Sequence, residues 1–420
     1  MTDERIIKNG VIAIKNNEII YVGEKATAPK ITAEKIVDAR DKVAIPGLIN
    51  CHTHLAMTLF RGIAEDQPLT KWLKETIWPL EAKLQPEDVY NGALLGCLEM
   101  IKTGTTTFAD MYYHEDQVAK AVEKAGLRAV LTQGTIEVGD PKMGEKTLKN
   151  SINFATKYHE YADGRITTRL GSHAVYTCSP ELLTKVRETA SKLNLGIHIH
   201  LAESREMIKQ VKQKYGSTEV ELLKKIGFLG ADVLAAHCIH LTRKEMRLLA
   251  THDVKVAHNP VANMKLAQGT AKIKDLRDLG LTVGLGTDGP ASNNTLDMFE
   301  TMKTAALLQK LTYLNPTVLP AYEVLKMATM NGARALEIEK DIGSLEVGKR
   351  ADLILIDISK PHLKPLHNIY ACIVYSARGS DVDMVAVDGK ILMENQEVKA
   401  LDEKAVMEEA EKIASDLLSR

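Results

Sequence analysis

The sequence lacks the features that would direct it to a membrane, to nucleic acid or to an oxidising compartment. No window approaches the ~18 uninterrupted apolar residues of a membrane span. The N-terminal MTDERIIKNG carries acidic residues and no apolar core of signal-peptide length. Neither sign of charge prevails, since 54 Lys and Arg stand against 55 Asp and Glu. No bulk field then exists to attract nucleic acid or anionic lipid, and a small neutral substrate suits such a surface better. Cysteine is scarce and unpaired: Cys51, Cys97, Cys178, Cys238 and Cys372 are odd in number and far apart, which excludes a disulfide framework and a CxxC metal knuckle. The HxE and PCxxC signature of the zinc deaminases that edit nucleic acids is missing for the same reason. Reduced, buried thiols in a cytoplasmic protein are the expectation. Internal repeats, low-complexity tracts and Gly/Ser linkers are absent too.

What remains is βα texture framed by β texture. The 420 residues exceed one ordinary domain, although an α/β barrel takes ~250 residues by itself. Residues 9–23 alternate apolar and polar positions around Asn16 and Asn17, the pattern of an antiparallel hairpin. The same texture returns in GKRADLILIDI (348–358) and in DMVAVDGKILMENQEV (383–398), which turns at Asp388 and Gly389. The two chain ends are thus expected to build one small β-sandwich. The tail from Leu401 has apolar residues at helical spacing and predicts an amphipathic helix.

Between these ends, LINCHTH, TTTFADM, AVLTQGT, RLGSHAVYT, GIHIHLAE, VLAAHC, VKVAHNP and TVGLGTDG read as strands, each followed by a helical stretch. Eight such units predict an α/β fold, a (β/α)8 TIM barrel. The expected division is 1–45 and 344–400 for the sandwich, 46–343 for the barrel and 401–420 for the last helix. His54, Asp110, His173, His200, His237, His258 and Asp288 all fall at the C-terminal ends of these strands, the face of such a barrel that carries chemistry.

An HxH pair on a strand turns both imidazoles to one side, so His52 and His54 can both point inward while Cys51 and Thr53 point out. The motif alone is cheap. With 13 histidines, chance yields about 0.4 such pairs, and this chain holds a second one at His198 and His200. Combination supplies the weight, because an inward His200 and the carboxylate of Asp288 come from other strand ends. Four N and O donors suit zinc or a similar divalent ion, with a further position for water. The bland alternative has the histidines hydrogen-bonded in the core and Asp288 capping the next helix. Seven polar strand ends on one face argue against it. Glu203 follows His200 by three residues and can face the same pocket.

At this point PGLINCHTH, HIHLAES, AAHCIHLT, HNPVANMKLA and GLGTDGPASNNTLDMFETM resemble the amidohydrolase superfamily. Within it they are similar to the deaminases of 5′-deoxyadenosine, 5′-methylthioadenosine and S-adenosylhomocysteine, over nearly the whole chain. The resemblance implies one zinc or iron ion on His52, His54, His200 and Asp288. Binuclear relatives carry a carboxylated lysine at the end of strand four, where GSHAVYT offers none, so a mononuclear site is implied. It further implies Glu203 as the acid for purine N1, Asp288 as acceptor of the water's proton and His237 as the group that orients the hydroxide. Trp72 is implied against the purine or 5′ group, Glu81 on the ribose hydroxyls, His173 at the nucleoside and Ser292 near the site. Without the resemblance, Trp72 reads as core packing, Glu81 as a solvated helix-face charge and His237 as a core histidine. His258 is expected to support the site through a hydrogen bond. The stretch LTKWLKETIWPLEAKL reads as an amphipathic helix broken at Pro79.

Two departures carry expectations of their own. Relatives that handle S-adenosylhomocysteine have an arginine near the end of strand three, suited to the substrate carboxylate, where this chain has Gln133. That favours 5′-deoxyadenosine and 5′-methylthioadenosine over S-adenosylhomocysteine and adenosine. The N-terminal β unit also starts one strand later than in relatives. A dimer or tetramer is implied by the resemblance. Guanine, cytosine or a triazine on the same metal chemistry, and a non-catalytic assembly protein on the same scaffold, are the competing readings.

Overall fold

The computed structural model describes residues 5–420, so the first four residues of the N-terminal stretch lie outside the described residues. Alternating apolar positions open the chain as a hairpin, β1 (Gly10–Lys15) and β2 (Glu18–Glu24), turning at Asn16 with φ 55°. Strand β3 (Lys42–Pro46) leads into the first barrel strand, β4 (Leu48–Thr53). The barrel continues with β5 (Thr105–Tyr112), β6 (Arg128–Gln133), β7 (Ile166–Thr168), β8 (Leu170–Ala174), β9 (Ile197–Leu201), β10 (Val233–His237), β11 (Lys255–His258) and β12 (Val283–Leu285). Its strands run parallel in the orders β4-β5-β6-β7 and β8-β9-β10-β11-β12.

The ring closes between β12 and β4. Asp288 N–H donates to the His52 carbonyl at 2.9 Å, and the Asn50 side chain bonds both the N–H and the hydroxyl of Thr287 at 3.0 and 2.7 Å. The fourth stave, expected as one strand, is two short ones. At Arg169 it changes partner, from β6 through Arg169 N–H to the Leu131 carbonyl, to the β9 side through Leu170 N–H to the Gly196 carbonyl. The Arg169 guanidinium holds the Asp232 and Ala335 carbonyls and the Glu337 carboxylate.

Strands β13 (Leu353–Asp357), β14 (Val382–Val387), β15 (Lys390–Glu394) and β16 (Glu397–Val398) complete an antiparallel sheet in the order β16-β15-β14-β13-β3. Both chain ends therefore contribute to one sheet, as expected. Period-two alternation divides its faces. Leu353, Leu355, Met384 and Ala386 form a small core with Ile19 of the hairpin, while Ile354, Ile356, Val385 and Val387 join the core of the barrel. The tail is the helix Glu403–Ser419, which buries Ala410, Ile413 and Leu417, and Arg420 bonds Asp88 of the helix Pro86–Lys102.

The segment after β4 departs from expectation. Residues Leu69–Lys71 are α-helical, Trp72–Ile77 form a π-helical turn, and Trp78–Glu81 resume the α-helix. Pro79 sits at the start of that last piece rather than at a break. Its missing N–H falls where the widened turn has already shifted the hydrogen-bond register, so the helix path survives it. No helix among the described residues is long and apolar enough to cross a membrane.

Candidate metal and catalytic site

Three strand ends, those of β4, β9 and β12, bring His52, His54, His200 and Asp288 together. His54 and His200 each hold a backbone carbonyl through Nδ1, that of Met111 at 2.6 Å and that of His173 at 2.7 Å. A carbonyl only accepts, so each Nδ1 carries the proton and each Nε2 presents a lone pair. Those two Nε2 atoms face each other at 3.3 Å. The Asp288 Oδ1 lies 3.3 Å from His54 Nε2 and 3.4 Å from His52 Nε2, and the latter has no hydrogen-bond partner although fully buried. Lone pairs and a carboxylate crowded in this way repel unless a cation stands between them. Tetrahedral ligation at ~2.0–2.1 Å separates ligand atoms by about 3.4 Å, so the donor set fits a divalent ion. Among the described residues the two clusters able to hold one, His52/His54/His200 and His52/His237/Asp288, share His52 and describe a single centre.

The surroundings fix these groups. His52 Nδ1 meets His198 Nε2 at 2.9 Å, the Ser292 hydroxyl donates to Asp288 Oδ2 at 2.8 Å, and His237 Nδ1 lies 2.9 Å from Asn263 Oδ1. The strand ends are also turned out of ordinary backbone geometry, with Ala202 at φ 51°, His237 at 72° and Asp288 at 65°. Such conformations persist only where surrounding contacts impose them, and they concentrate at functional sites. Burial opposes charge on Asp288, yet the facing His52, His54 and His237 hold its carboxyl well below the usual range. Burial lowers His52 to about 4 and His173 to about 3. It raises the Glu203 carboxyl, and although burial works against charge on His237, Glu203 and Asp288 raise that imidazole.

Above this centre opens a cavity of about 750 Å³, mouth included. Trp72, Glu81, His173, Glu203, His237, Asp288 and Ser292, all expected from the sequence, line it together with His54 and His200. His52 is fully buried and does not line it. The Glu203 carboxylate stands 4.0 Å from His237 Nε2. Glu81 is half-buried, but its carboxyl is the buried end, beside the Tyr112 hydroxyl, and burial pushes it up to about 8.

Several residues fall elsewhere. Asp110 lies behind the cavity, accepting the Leu55 N–H at 2.8 Å. Gln133 is not a lining residue; its carboxamide oxygen accepts from Glu115 N–H at 3.2 Å, at the start of the helix Glu115–Ala125. His258 does not support the site by a hydrogen bond, because both its buried ring nitrogens lack a partner among the described residues. The chain turns after β11 into the helix Pro260–Lys265, which carries Asn263 onto His237 instead. Asn263 and Tyr112 escaped the sequence reading, and His198 figured only as half of the second HxH pair, without its role toward His52. The period-two spacing that turns His198 to the same side as His200 was the signal for it.

The sequence pattern of the amidohydrolase family matches residues 43–392. A 5-methylthioadenosine/S-adenosylhomocysteine deaminase from Moorella thermoacetica is 53% identical over 96% of this chain and 94% of its own length. A 5′-deoxyadenosine deaminase from Methanosarcina acetivorans is 50% identical over 99% of this chain and 95% of its own. Among solved structures, a zinc-bound adenosine deaminase from Xanthomonas campestris superposes with a TM-score of 0.96 at 32% identity, covering 99% of this chain and 95% of that one. With its barrel, its strand-end donor set and these relatives, the chain belongs to the amidohydrolase family.

Proposed function

We propose that the protein is a metal-dependent deaminase of adenosine derivatives, releasing ammonia and the inosine analogue, with 5′-deoxyadenosine and 5′-methylthioadenosine as its foremost substrates. The observation that carries this reading is the placement of Glu203 beside His237 in the same cavity as the converging Nε2 atoms and Asp288. The relatives' activities support it, and the intact donor set argues against a non-catalytic scaffold.

Zinc held by His52, His54, His200 and Asp288 would supply a water acidified to a pKa of ~7. Asp288, kept ionised and steadied by Ser292, accepts the proton of the attacking water. His237, with Nδ1–H donating to Asn263 and its imidazole held toward the protonated form by Glu203 and Asp288, presents Nε2–H to the developing negative charge. Glu203 delivers a proton to purine N1 as charge moves into the ring; the proton taken by Asp288 passes to the amino group, and as ammonia leaves, the C6 hydroxyl gives its proton to Glu203 and becomes the carbonyl of the inosine analogue. Glu81 accepts the ribose hydroxyls, Trp72 packs on the purine or the 5′ group, and His173 reaches the nucleoside. No Lys or Arg lines the cavity, while Leu69, Leu73, Trp78 and Ile136 do. A 5′ substituent bearing a carboxylate would find no cation there, which favours apolar 5′ ends over S-adenosylhomocysteine. Guanine, cytosine and triazines would leave the Glu81 carboxyl unmatched.

Work in the cytoplasm fits five free, buried thiols. A homo-oligomer, and a division into 1–45 with 344–400, 46–343 and 401–420, complete the reading.

The test is a panel of adenine nucleosides, free bases and triazines assayed for ammonia, with bound metal measured in parallel. Glu203→Gln is expected to lower turnover of 5′-deoxyadenosine by at least ~100-fold while retaining metal. Unchanged turnover would overturn the proton relay.

A further inference from the structure

The residue before Glu203 is bonded by a side chain outside the cavity wall, that of Glu219. That residue is Ala202, whose backbone is left-handed at φ 51°, a conformation that a residue with a Cβ rarely adopts unless contacts impose it. The Ala202 peptide groups are clamped on both sides. Its carbonyl accepts from Ile239 N–H at 3.0 Å and His240 N–H at 2.9 Å, both in the loop after β10. Its N–H donates to Glu219 Oε2 at 2.7 Å.

Glu219 has no evident duty to its own helix. It is the first residue of the helix Glu219–Lys225, but that N-terminus is already closed by a reciprocal pair in which Thr218 and Glu221 each bond the other's backbone N–H. Its side chain instead turns inward, leaving the residue 4% exposed, into a narrow cleft shared with Tyr176, Met207, Ala202 and Glu203. A buried carboxylate is costly unless its acceptors are used, and the use here is the Ala202 N–H.

We propose that Glu219 is a positioning residue for the deamination, holding the Ala202 turn so that the Glu203 carboxyl faces the purine. The inference rests on the reading of Glu203 as proton carrier. Glu219 touches neither substrate nor reacting atoms. It acts through one peptide group, and a displacement of about 1 Å at a catalytic group can cost ~100-fold in rate.

The metal-loaded full-length enzyme is assayed on 5′-deoxyadenosine. Glu219→Met, similar in length but without an acceptor, is expected to lower kcat by roughly 10- to 100-fold with KM changed less than about threefold and metal content unchanged. Glu219→Gln keeps an acceptor oxygen and is expected to retain most of the turnover. Should Glu219→Met fail to fold, Glu219→Asp withdraws the acceptor while keeping a polar group, and the same contrast with Glu219→Gln is expected. Adding Glu219→Met, or in that case Glu219→Asp, to Glu203→Gln should lower kcat no further, because both act through one carboxyl. An equal loss in Glu219→Gln, an unaltered kcat in the variant lacking the acceptor, or a multiplicative loss in the double variant would each overturn the inference. If Glu203→Gln itself stays active, the catalytic reading fails, and the inference with it. If Glu203→Gln is inactive while the acceptor-lacking variant is fully active, only the positioning inference fails.

Discussion

Glu81 combines an acid's charge with an apolar setting, and that combination sets a pH dependence. Its carboxyl rises from an ordinary 4.5 to about 8 through burial. The folded protein thus keeps a proton across that window which the unfolded chain has released, so the stability contribution of Glu81 is lost as pH rises through about 8. Substrate works in the opposite sense, because ribose hydroxyls donate to the ionised form and lower its pKa on binding. KM for 5′-deoxyadenosine is therefore expected to fall as pH rises toward 8, and Glu81→Gln to flatten the profile. A wild-type KM constant between about pH 6 and 9 would contradict this. At this scale the legible residues were those at strand ends: His52, His54, His200 and Asp288 stand out by falling together on one face of the barrel, not by the spacing of any one pair. Tyr112 and Asn263 do not, since a phenol beside a buried acid and an amide under an imidazole are consequences of packing that no local pattern encodes.

Among elements, the fourth stave shows where periodicity stops informing. Alternation finds RLGSHAVYT as a strand, but a change of hydrogen-bonding partner at Arg169 leaves hydropathy untouched and so cannot be read from it. The switch has a steric requirement at Gly171. A Cβ there would stand 2.7 Å from the Gln133 carbonyl oxygen and 2.9 Å from Thr132 Cγ2, at the end of β6. Gly171→Ala is expected to destabilise by about 1–3 kcal/mol, read as a lower urea midpoint at unchanged slope. A midpoint equal to wild type would show that the two staves can part at no cost. The π-helical turn at Trp72–Ile77 escaped for a related reason. A widened turn keeps the apolar residues on one side, so the sequence looks like an ordinary helix that Pro79 ought to break. The hairpins were legible because their turns are local: Gly389 adopts φ 75° and leaves no room for a Cβ against the Asn16 carbonyl.

For the whole molecule, one arginine ties the barrel to the terminal sheet. Arg128, at the start of β6, donates from Nε to Asp352 at 2.8 Å and from its terminal nitrogen to Asp352 at 3.2 Å and Asp388 at 3.4 Å. Arg128→Ala would leave the buried Asp352 carboxylate without its cation, while Asp388 keeps Arg350 at 3.9 Å, and is expected to cost about 3–5 kcal/mol of stability with little change in kcat, since the site lies at the opposite end of the strand. The centre itself makes the complementary contribution. Its donors come from β4, β9 and the loop after β12, far apart in sequence, so they form no site in the unfolded chain, and binding a divalent ion is linked to folding. Adding zinc to protein stripped with a chelator is expected to raise Tm until one ion per chain is bound, because both donor clusters need His52. At 100 times Kd the stabilisation reaches ~2.7 kcal/mol. His52→Ala should abolish the rise; its zinc-free Tm is expected to fall below that of stripped wild type, since a fully buried ring and its bond to His198 are lost, so the readout is the shift on adding zinc. A zinc-dependent rise that survives His52→Ala would mean that the ion is held elsewhere.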